Sequence, residues 1–375
     1  MPGLLPDVDP EGLLEYSVVY TDRSLNHMSA EFQDVMRSVS DMLKDVYRAR
    51  AAVVVPGSGT FGMEAVARQF ATGRKCLVIR NGWFSYRWSQ IFEMGGIPGE
   101  VQVMKARRMG QGPQVPFVPA PLDEVVAAIR AERPDLVFAP HVETSAGMLL
   151  PDHYLQAVAD AVHDHGGLFV LDCIASGTVW VDMPSVGVDV LVSAPQKGWT
   201  GTPCCGLVML SEAARSRIDS TTSSSFACDL KRWLEIMEVY EQGGHGYHAT
   251  MPTDGLRILR HVMRETLSFG RERARSGLVE LGRQVRALLE QRGFRSVAAE
   301  GFQAPGVIVS YTHDDEISSG RKFSARGIQI APGVPLMCDE PADFRTFRIG
   351  LFGLDKLYDP DRTVGNLKRA LDAFG

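Results

Sequence analysis

The chain has 375 residues, and this length predicts two domains rather than a single hydrophobic core. Its composition of 45% apolar and 22% charged residues is ordinary for a globular protein, and its net charge of −6 argues against the basic face that nucleic-acid binding requires. No apolar run reaches transmembrane length, and residues 1–10 lack the basic and apolar regions of a signal peptide. The six cysteines lie mostly in apolar stretches without metal-ligand spacing, so we predict reduced thiols, no metal site and a cytoplasmic location.

Strand and helix periodicities alternate along the first part of the chain. Residues 1–22, which are irregular and rich in proline and aspartate, are predicted to form an N-terminal arm, and Ser29 is predicted to cap the helix that follows. Apolar runs then predict strands at 51–55, 76–79, 101–104, 136–139, 167–171, 190–193 and 206–210, and helices at 60–72, 83–94, 122–131 and 154–165. Repeated strand–helix units predict an α/β fold with a mostly parallel sheet covered by helices, in which 206–210 is the antiparallel edge. Gly166 is the predicted C-cap of the helix before it.

The pattern changes near residue 258, which we predict to be a domain boundary. A long helix around residues 278–289 is followed by short predicted strands at 307–309, 328–330 and 347–349, and by a closing helix from about residue 361. We therefore predict a large domain at 23–258 and a smaller α+β domain at 259–375.

A glycine-rich stretch, Gly57-Ser-Gly-Thr-Phe-Gly62, follows a predicted strand and opens a predicted helix, so its backbone N–H groups and the helix dipole favour an anion. The same stretch fits the G-x-G-x-x-G pattern of dinucleotide-binding proteins. That pattern expects an acidic residue about 20 positions further on, whereas the next strand leads into Arg80-Asn81. We prefer a phosphate cradle, and an NADP site or a plain strand–helix turn are the alternatives.

Two further predicted strands lead to ionisable residues. The strand at 190–193 leads to Gln196 and Lys197, and the strand at 167–171 leads to Asp172. Open α/β sheets bind ligands at the carboxyl edge of their strands. A desolvated lysine can attack a carbonyl, and a buried aspartate needs a cation such as a protonated pyridine nitrogen, so the two residues together predict pyridoxal phosphate chemistry. A structural ion pair between Asp172 and Lys197 is the alternative.

Several other residues are candidates for cofactor binding, substrate binding or catalysis. Phe84 can stack on a planar cofactor, and Arg348, in a short apolar strand, is suited to a bidentate grip on a carboxylate. Cys338 is a candidate nucleophile, although a free cysteine is more often an inert small hydrophobe. His163 and His165 end a helix of ordinary pattern, and we interpret them as solvated rather than metal-binding.

Short motifs occur in order over about residues 20–370: His27-Met-Ser, Gly57-Ser-Gly-Thr with Glu64-Ala, Asn81-Gly, His141-Val-Glu-Thr-Ser-Ala-Gly147, Asp172-Cys-Ile-Ala-Ser176, Gln196-Lys197, Tyr247-His-Ala-Thr250 and Phe347-Arg-Ile-Gly350. In this order they make the chain resemble the class V aminotransferases of the pyridoxal-phosphate-dependent fold type I. Within that family it is most similar to the alanine–glyoxylate and serine–pyruvate aminotransferase group. The resemblance implies a large domain with a mostly parallel seven-stranded sheet and a smaller C-terminal α+β domain.

The resemblance also implies a role for each matched residue. Lys197 resembles the lysine that holds pyridoxal 5'-phosphate as a Schiff base and later moves a proton, and Asp172 resembles the partner of the pyridine nitrogen. Phe84 is similar to the stacking aromatic residue, and Ile174 to the aliphatic residue under the ring. The remaining implied contacts are Thr144 to the ring oxygen, Ser58, Gly59, Thr60 and Gln196 to the phosphate from the same chain, Tyr247 and Thr250 to the phosphate from the other subunit of an obligate homodimer, and Arg348 to the substrate carboxylate.

Departures from the family concern the substrate. Asn26 stands where many members have glycine near the substrate, and Trp199 is expected to reshape the pocket. The implied function is transfer of the amino group of a small amino acid to glyoxylate or pyruvate. One alternative, a 2-aminoethylphosphonate–pyruvate transaminase, shares every motif. A cysteine desulfurase or related lyase needs Cys338 as acceptor and usually has histidine in place of Gln196. A non-catalytic regulator of this fold is expected to have a degraded Lys197 or an added DNA-binding domain.

Overall fold

The computed structural model describes residues 8–374, so residues 1–7 of the predicted arm, and Gly375, lie outside the described part. Within this range the strands are β1 (Ala51–Pro56), β2 (Lys75–Arg80), β3 (Glu100–Lys105), β4 (Arg107–Arg108), β5 (Phe117–Val118), β6 (Leu136–Pro140), β7 (Val142–Glu143), β8 (Met148–Leu149), β9 (Leu168–Asp172), β10 (Val190–Ser193), β11 (Cys205–Leu210), β12 (Val307–Tyr311), β13 (Ala331–Pro332) and β14 (Thr346–Gly350). The helices are α1 (Ala30–Tyr47), α2 (Gly59–Phe70), α3 (Trp83–Gly95), α4 (Leu122–Glu132), α5 (Asp152–His163), α6 (Met183–Val186), α7 (Glu212–Ile218), α8 (Leu230–Glu241), α9 (Thr253–Phe269), α10 (Arg271–Glu290), α11 (Asp315–Ser318), α12 (Arg321–Ser324), α13 (Leu354–Tyr358) and α14 (Pro360–Asp372).

Local signals in the sequence place the first elements well. Ser29 caps α1 as predicted, because its hydroxyl accepts a hydrogen bond from the N–H of Phe32 at 3.1 Å. Val35, Val39 and Leu43, in the apolar stripe of this helix, are fully buried. The strands predicted before residue 211 are all present, with ends that agree to within two residues.

Seven strands form the large sheet in the order β1-β11-β10-β9-β6-β2-β3, which confirms the predicted fold. Strands β10, β9, β6, β2 and β3 are parallel, whereas β11 pairs antiparallel with both β1 and β10. The prediction that 206–210 forms the edge is therefore wrong, because β11 lies inside the sheet. All six of its residues are buried, and a buried strand must pair its backbone on both sides.

A second, three-stranded sheet in the order β12-β14-β13 forms in the C-terminal part of the chain. The predicted strands 307–309 and 347–349 lie within β12 and β14, but the prediction for 328–330 is wrong. The N–H of Ile328 donates to the carbonyl of Phe323 at 3.0 Å and closes the turn after α12, so it is not available to a β-ladder. Only Ala331–Pro332 pairs with β14 on this side.

The hydrophobic side chains of the two sheets belong to different clusters, and helix α9 contributes to both. Leu256, Leu259 and Met263 pack into the cluster of the large sheet, whereas Phe269 packs with α10. The predicted boundary at residues 258 and 259 falls inside this helix. The division into domains at that point therefore remains a prediction.

The end of helix α5 differs from prediction in two respects. Its C-cap is Asp164, and Gly166, with φ +79°, closes the turn that follows. His163 is not simply solvated, because its Nε2 lies 2.7 Å from a carboxylate oxygen of the buried Asp189, and this hydrogen bond raises the pKa of the imidazole. His165 likewise bonds to a backbone carbonyl at 2.8 Å.

All six cysteines are free thiols, and five of them are buried. Within residues 8–374, no group of three or more histidine, cysteine, aspartate or glutamate side chains is arranged to hold a metal ion. In the same range, none of the helices has the length and apolar character that a membrane crossing requires.

Candidate active site

The carboxyl ends of β1, β2, β6, β9 and β10 meet at one edge of the large sheet, because these strands run in the same direction. The segments that follow them line one pocket. Nine of the residues predicted for the site lie in its wall: Ser58, Gly59, Thr60, Phe84, Thr144, Asp172, Ile174, Gln196 and Lys197. Residues from distant parts of the sequence are thus brought together as predicted.

The first turn of helix α2 forms one side of this pocket. Gly57 has φ +121°, a backbone conformation that other residues rarely adopt, and this allows the abrupt turn from β1 into the helix. Ser58 is the N-cap of α2, but its hydroxyl makes no capping hydrogen bond, in contrast to that of Ser29 in α1. The N–H groups of this first turn and the Ser58 hydroxyl are therefore available to an anionic ligand.

Asp172, the last residue of β9, supplies a buried carboxylate. Its side chain is 7% exposed, and Oδ1 accepts a hydrogen bond from the N–H of Ile174 at 2.9 Å. Burial raises the pKa of Asp172 to about 6, which means that the carboxylate lacks sufficient compensation for its charge. A cationic group of a ligand would provide that compensation.

Lys197 lies in the loop after β10, on the same pocket. Burial lowers the pKa of its amine, and the charge of Asp172 opposes this effect only in part. Among residues 8–374, no salt bridge within 4.0 Å joins Asp172 to Lys197, so the two groups do not form a structural ion pair. The Nζ atom lies 5.6 Å from the ring centroid of Phe352. This environment favours a neutral, nucleophilic amine over an anchored ammonium.

Phe84 is held in place by a buried glutamate that the sequence did not single out. The fully buried carboxylate of Glu143 accepts hydrogen bonds from the N–H groups of Phe84, Ser85 and Ser145 at 3.2, 2.9 and 3.1 Å. A carboxylate at the start of α3 is also favoured by the helix dipole. Glu143 lies within one of the matched motifs, but nothing in the spacing indicates that it anchors Phe84.

Two arginines lie against the ring of Phe84. The guanidinium carbons of Arg87 and Arg348 are 5.3 and 5.4 Å from its centroid. Arg348 projects from β14, donates from Nε to the carbonyl of Pro332 at 2.8 Å, and has its pKa lowered by burial. Arg87, which lines the pocket, donates from Nη1 to the hydroxyl of Thr60 at 3.0 Å. We did not predict Arg87, although its spacing of three residues from Phe84 places both on one helix face.

Comparison with known proteins shows two groups of curated relatives. The chain is 27% identical over 363 residues to the 2-aminoethylphosphonate–pyruvate transaminase of Syntrophobacter fumaroxidans, covering 92% of this chain and 90% of that protein. It is 26% identical over 360 residues to the alanine–glyoxylate aminotransferase of Oryctolagus cuniculus, covering 92% and 86%. The chain is a homologue of these aminotransferases. No family model matches it.

The fold of the chain is also found among solved structures. The crystal structure of an alanine–glyoxylate aminotransferase from Nostoc superposes with a TM-score of 0.76 at 20% identity, covering 92% of this chain and 88% of the other. The predicted resemblance is confirmed, and so are the predictions of an aminotransferase and of pyridoxal phosphate as its cofactor.

The donor set in the pocket of this homologue fits pyridoxal phosphate. An uncapped helix N-terminus suits its phosphate, and the carboxylate of Asp172 suits a protonated ring nitrogen. The amine of Lys197, with its lowered pKa, suits an aldehyde, and Phe84 offers an aromatic face. The nicotinamide ring of NADP has no ring N–H to donate to the Asp172 carboxylate and no aldehyde for the Lys197 amine, so the NADP alternative fits less well.

Four of the predicted residues do not line the pocket of their own chain: Arg348, which lies against the wall residue Phe84, and Tyr247, Thr250 and Asn26. Tyr247 and Thr250 are exposed, and their hydroxyl groups lie 3.2 Å from each other. Asn26 donates from Nδ2 to the carboxylate of Glu15 at 2.8 Å, and its Oδ1 accepts a hydrogen bond from the N–H of Met28. Both hydrogen bonds are made within the N-terminal segment. Their assignments to cofactor and substrate remain predictions.

Cys338 and Trp199 do not lie where their expected roles at the pocket require. Cys338 is 4% exposed, its Sγ lies 3.4 Å from the carbonyl of Arg80, and burial raises the pKa of the thiol to about 12. It is therefore neither ionised nor presented to the pocket, which disfavours the desulfurase alternative. Trp199 is fully buried against Tyr47 and Trp180 and does not line the pocket, so its expected effect on pocket shape is not found.

Proposed function

We propose that the enzyme transfers the amino group of a small amino acid to a small 2-oxo acid such as glyoxylate or pyruvate, with Lys197 and Asp172 as its catalytic residues. The observation that supports this most strongly is the convergence of Lys197, Asp172 and the uncapped start of α2 on one pocket. A nucleophilic amine, a carboxylate in need of a cation and a phosphate-binding helix end are the three protein groups that this chemistry needs.

Each side chain has a distinct task in the proposed reaction. Pyridoxal phosphate, when bound, supplies an electron-withdrawing ring that stabilises negative charge at the substrate Cα. The Nζ of Lys197 accepts the proton from that carbon, and the burial that lowers its pKa favours the neutral amine that this step requires. The carboxylate of Asp172 keeps the ring nitrogen protonated, and the guanidinium of Arg348 binds the substrate carboxylate. Phe84 and Ile174 restrict the plane of the ring from the pocket wall.

Single half-reactions with a panel of amino donors test the proposal. Purified enzyme loaded with pyridoxal phosphate is mixed with alanine, serine, aspartate or 2-aminoethylphosphonate, and the visible spectrum is followed. We expect alanine or serine to convert the bound aldehyde to the amine form, and glyoxylate or pyruvate to reverse the change. Conversion by 2-aminoethylphosphonate alone would replace this proposal by the phosphonate transaminase, the activity named for the relative that is 27% identical. No conversion by any amino donor would contradict an aminotransferase.

We further propose a homodimer in which Tyr247 and Thr250 reach the phosphate in the pocket of the other subunit. Both are exposed and adjacent to each other, and neither lines the pocket of its own chain. Exposed hydroxyl groups on a loop are suited to bind a phosphate across a subunit interface. We also retain the cytoplasmic location as a prediction, for which the free thiols are the support.

Mixing two inactive variants provides the test of a shared site. Lys197→Ala and the double variant Tyr247→Phe/Thr250→Ala are each expected to be nearly inactive alone. Subunit exchange produces heterodimers in which one site carries both defects and the other carries none, so random mixing should restore about a quarter of wild-type activity. Activity equal to the mean of the two parents after exchange, or a monomer by sedimentation, would contradict the shared site.

A further inference from the structure

Two arginines at the pocket have no carboxylate partner in the described part of the chain. Arg87 lines the pocket and Arg348 lies against its wall residue Phe84, yet among residues 8–374 no salt bridge within 4.0 Å joins either guanidinium to a carboxylate. Glu143 is nearby, but its carboxylate is occupied by donors from the start of α3 and from Ser145. An anionic ligand would supply the negative charge that these two guanidinium groups lack.

The cradle that the family resemblance implies contains no cation. Its members, Ser58, Gly59, Thr60 and Gln196 from one subunit and Tyr247 and Thr250 from the other, are all neutral side chains or glycine. A phosphate monoester carries a charge of roughly −1.5 to −2 at neutral pH. Hydrogen bonds to a guanidinium are the strongest that proteins offer to such a group.

Arg87 is placed to supply that cation. Its Nη1 donates to the hydroxyl oxygen of Thr60 at 3.0 Å, and its other N–H groups have no hydrogen-bond partner among the described residues. Because the oxygen of Thr60 accepts this bond, the Thr60 O–H remains free to donate. Both groups lie beside the uncapped N-terminus of α2, where N–H groups are also free.

We propose that Arg87 binds the phosphate of the cofactor from within the same chain and orients the Thr60 hydroxyl towards the same oxyanion. This inference rests on the proposed function, because it assumes that pyridoxal phosphate occupies the pocket. The same guanidinium could meet an oxyanion from a second source, the distal carboxylate or phosphonate of an amino donor. The contact with Thr60, in the first turn of the phosphate-binding helix, favours the cofactor.

Binding to the apoenzyme tests the proposal without relying on turnover. Wild type, Arg87→Gln and Arg87→Lys are titrated with pyridoxal phosphate, with pyridoxal, which lacks the phosphate, and with inorganic phosphate. We expect Arg87→Gln to weaken pyridoxal phosphate binding by roughly 10- to 100-fold and to abolish the binding of inorganic phosphate, with pyridoxal affinity unchanged. Arg87→Lys should retain part of the preference for the phosphorylated cofactor. Arg283→Gln, which removes an exposed arginine paired with Glu280, serves as the control.

Three outcomes would overturn the inference. In the first, Arg87→Gln binds pyridoxal phosphate within about two-fold of wild type, although the loss of a charged hydrogen bond predicts a larger loss of affinity. It could lose pyridoxal and pyridoxal phosphate equally, which would indicate a packing role beside Phe84. It could also keep the cofactor but raise the KM for aspartate or 2-aminoethylphosphonate and not for alanine, which would assign Arg87 to the substrate. If Arg87→Gln fails to fold, Arg87→Lys decides the matter. An Arg87→Lys enzyme that prefers pyridoxal phosphate over pyridoxal as strongly as wild type does would contradict the inference, because lysine cannot make the forked contact of arginine.

Failure of this inference and failure of the proposed function are distinguishable. A wild-type enzyme that binds no pyridoxal phosphate would contradict the proposed function itself. A wild-type enzyme that binds the cofactor through Lys197, with Arg87 variants that match it, would contradict only the role of Arg87.

Discussion

Replacement of Lys197 by alanine is expected to reduce turnover by at least about 10³-fold and to remove the visible absorbance of covalently held cofactor. The physical reason is the position of the amine, which lies on the pocket and has its pKa lowered by burial. An alanine leaves no group that can bond to the aldehyde or accept the Cα proton. Turnover of each half-reaction and the absorption spectrum of the purified protein are the measurements.

Two further variants make this result specific. Lys197→Arg keeps a cation in the pocket, but a guanidinium is always protonated, so it should be as inactive as the alanine variant. Lys368→Ala removes an exposed lysine from α14 and should behave as wild type. A Lys197→Ala enzyme that retained more than a tenth of wild-type turnover would refute the assignment of this residue.

Replacement of Asp172 by asparagine is expected to lower turnover by roughly 10²- to 10³-fold, because the ring nitrogen would lose the carboxylate that keeps it protonated. Asparagine preserves the side-chain volume and can still accept the hydrogen bond from Ile174. The loss should therefore appear in the rate of each half-reaction more than in the folding of the protein. Asp172→Glu, which keeps the charge, should recover part of the rate.

The same substitution is expected to stabilise the protein when the cofactor is absent. The pKa of Asp172 rises from 3.8 to about 6 on burial, so this group favours the folded state below about pH 4, and that contribution is lost as the pH rises through 6. At pH 7.5 this corresponds to a destabilisation of the wild-type apoenzyme of roughly 3 kcal/mol at most. Asp172→Asn removes the penalty, so the apoenzyme variant should unfold at higher urea concentration than wild type.

Urea unfolding at pH 5 and pH 7.5, with and without pyridoxal phosphate, measures this balance. Wild type should lose stability between the two pH values as apoenzyme and should gain more from the cofactor than Asp172→Asn does. Asp41→Asn, which changes an exposed aspartate on α1, is the control for a general effect of charge. An apoenzyme whose unfolding free energy shows no difference between wild type and Asp172→Asn at pH 7.5 would contradict the proposed electrostatics.

Much of the site could be predicted because its signals are local. Asp172 and Lys197 each follow a short apolar run, and a buried strand delivers the residue after it to one edge of a parallel sheet whatever the order of the strands. The Gly57 turn is likewise specified by neighbouring residues, since strand, glycine and helix are contiguous. Assigning these residues to one pocket therefore requires only that β1, β9 and β10 run in the same direction and lie close together in one sheet.

The residues that escaped prediction act over long distances in the sequence. Glu143 holds the start of α3 although 58 positions separate it from Ser85, and Arg87 contacts Thr60 from a different helix. Neither contact leaves a trace in periodicity or spacing. The interior position of β11 was missed for the same reason, because it depends on which strands pair with it.

The sequence by itself determined the strands of the large sheet, their mostly parallel arrangement and the two ionisable residues at its edge, since each of these follows from burial and periodicity within a few neighbouring residues. Only the tertiary structure decided the charge balance of the pocket. It buried Cys338 and Trp199 away from the chemistry, left Asp172 short of a cation, and placed Arg87 beside Thr60. These outcomes depend on packing between segments that are remote in the chain, and packing sets the local dielectric and the partners on which every charge depends.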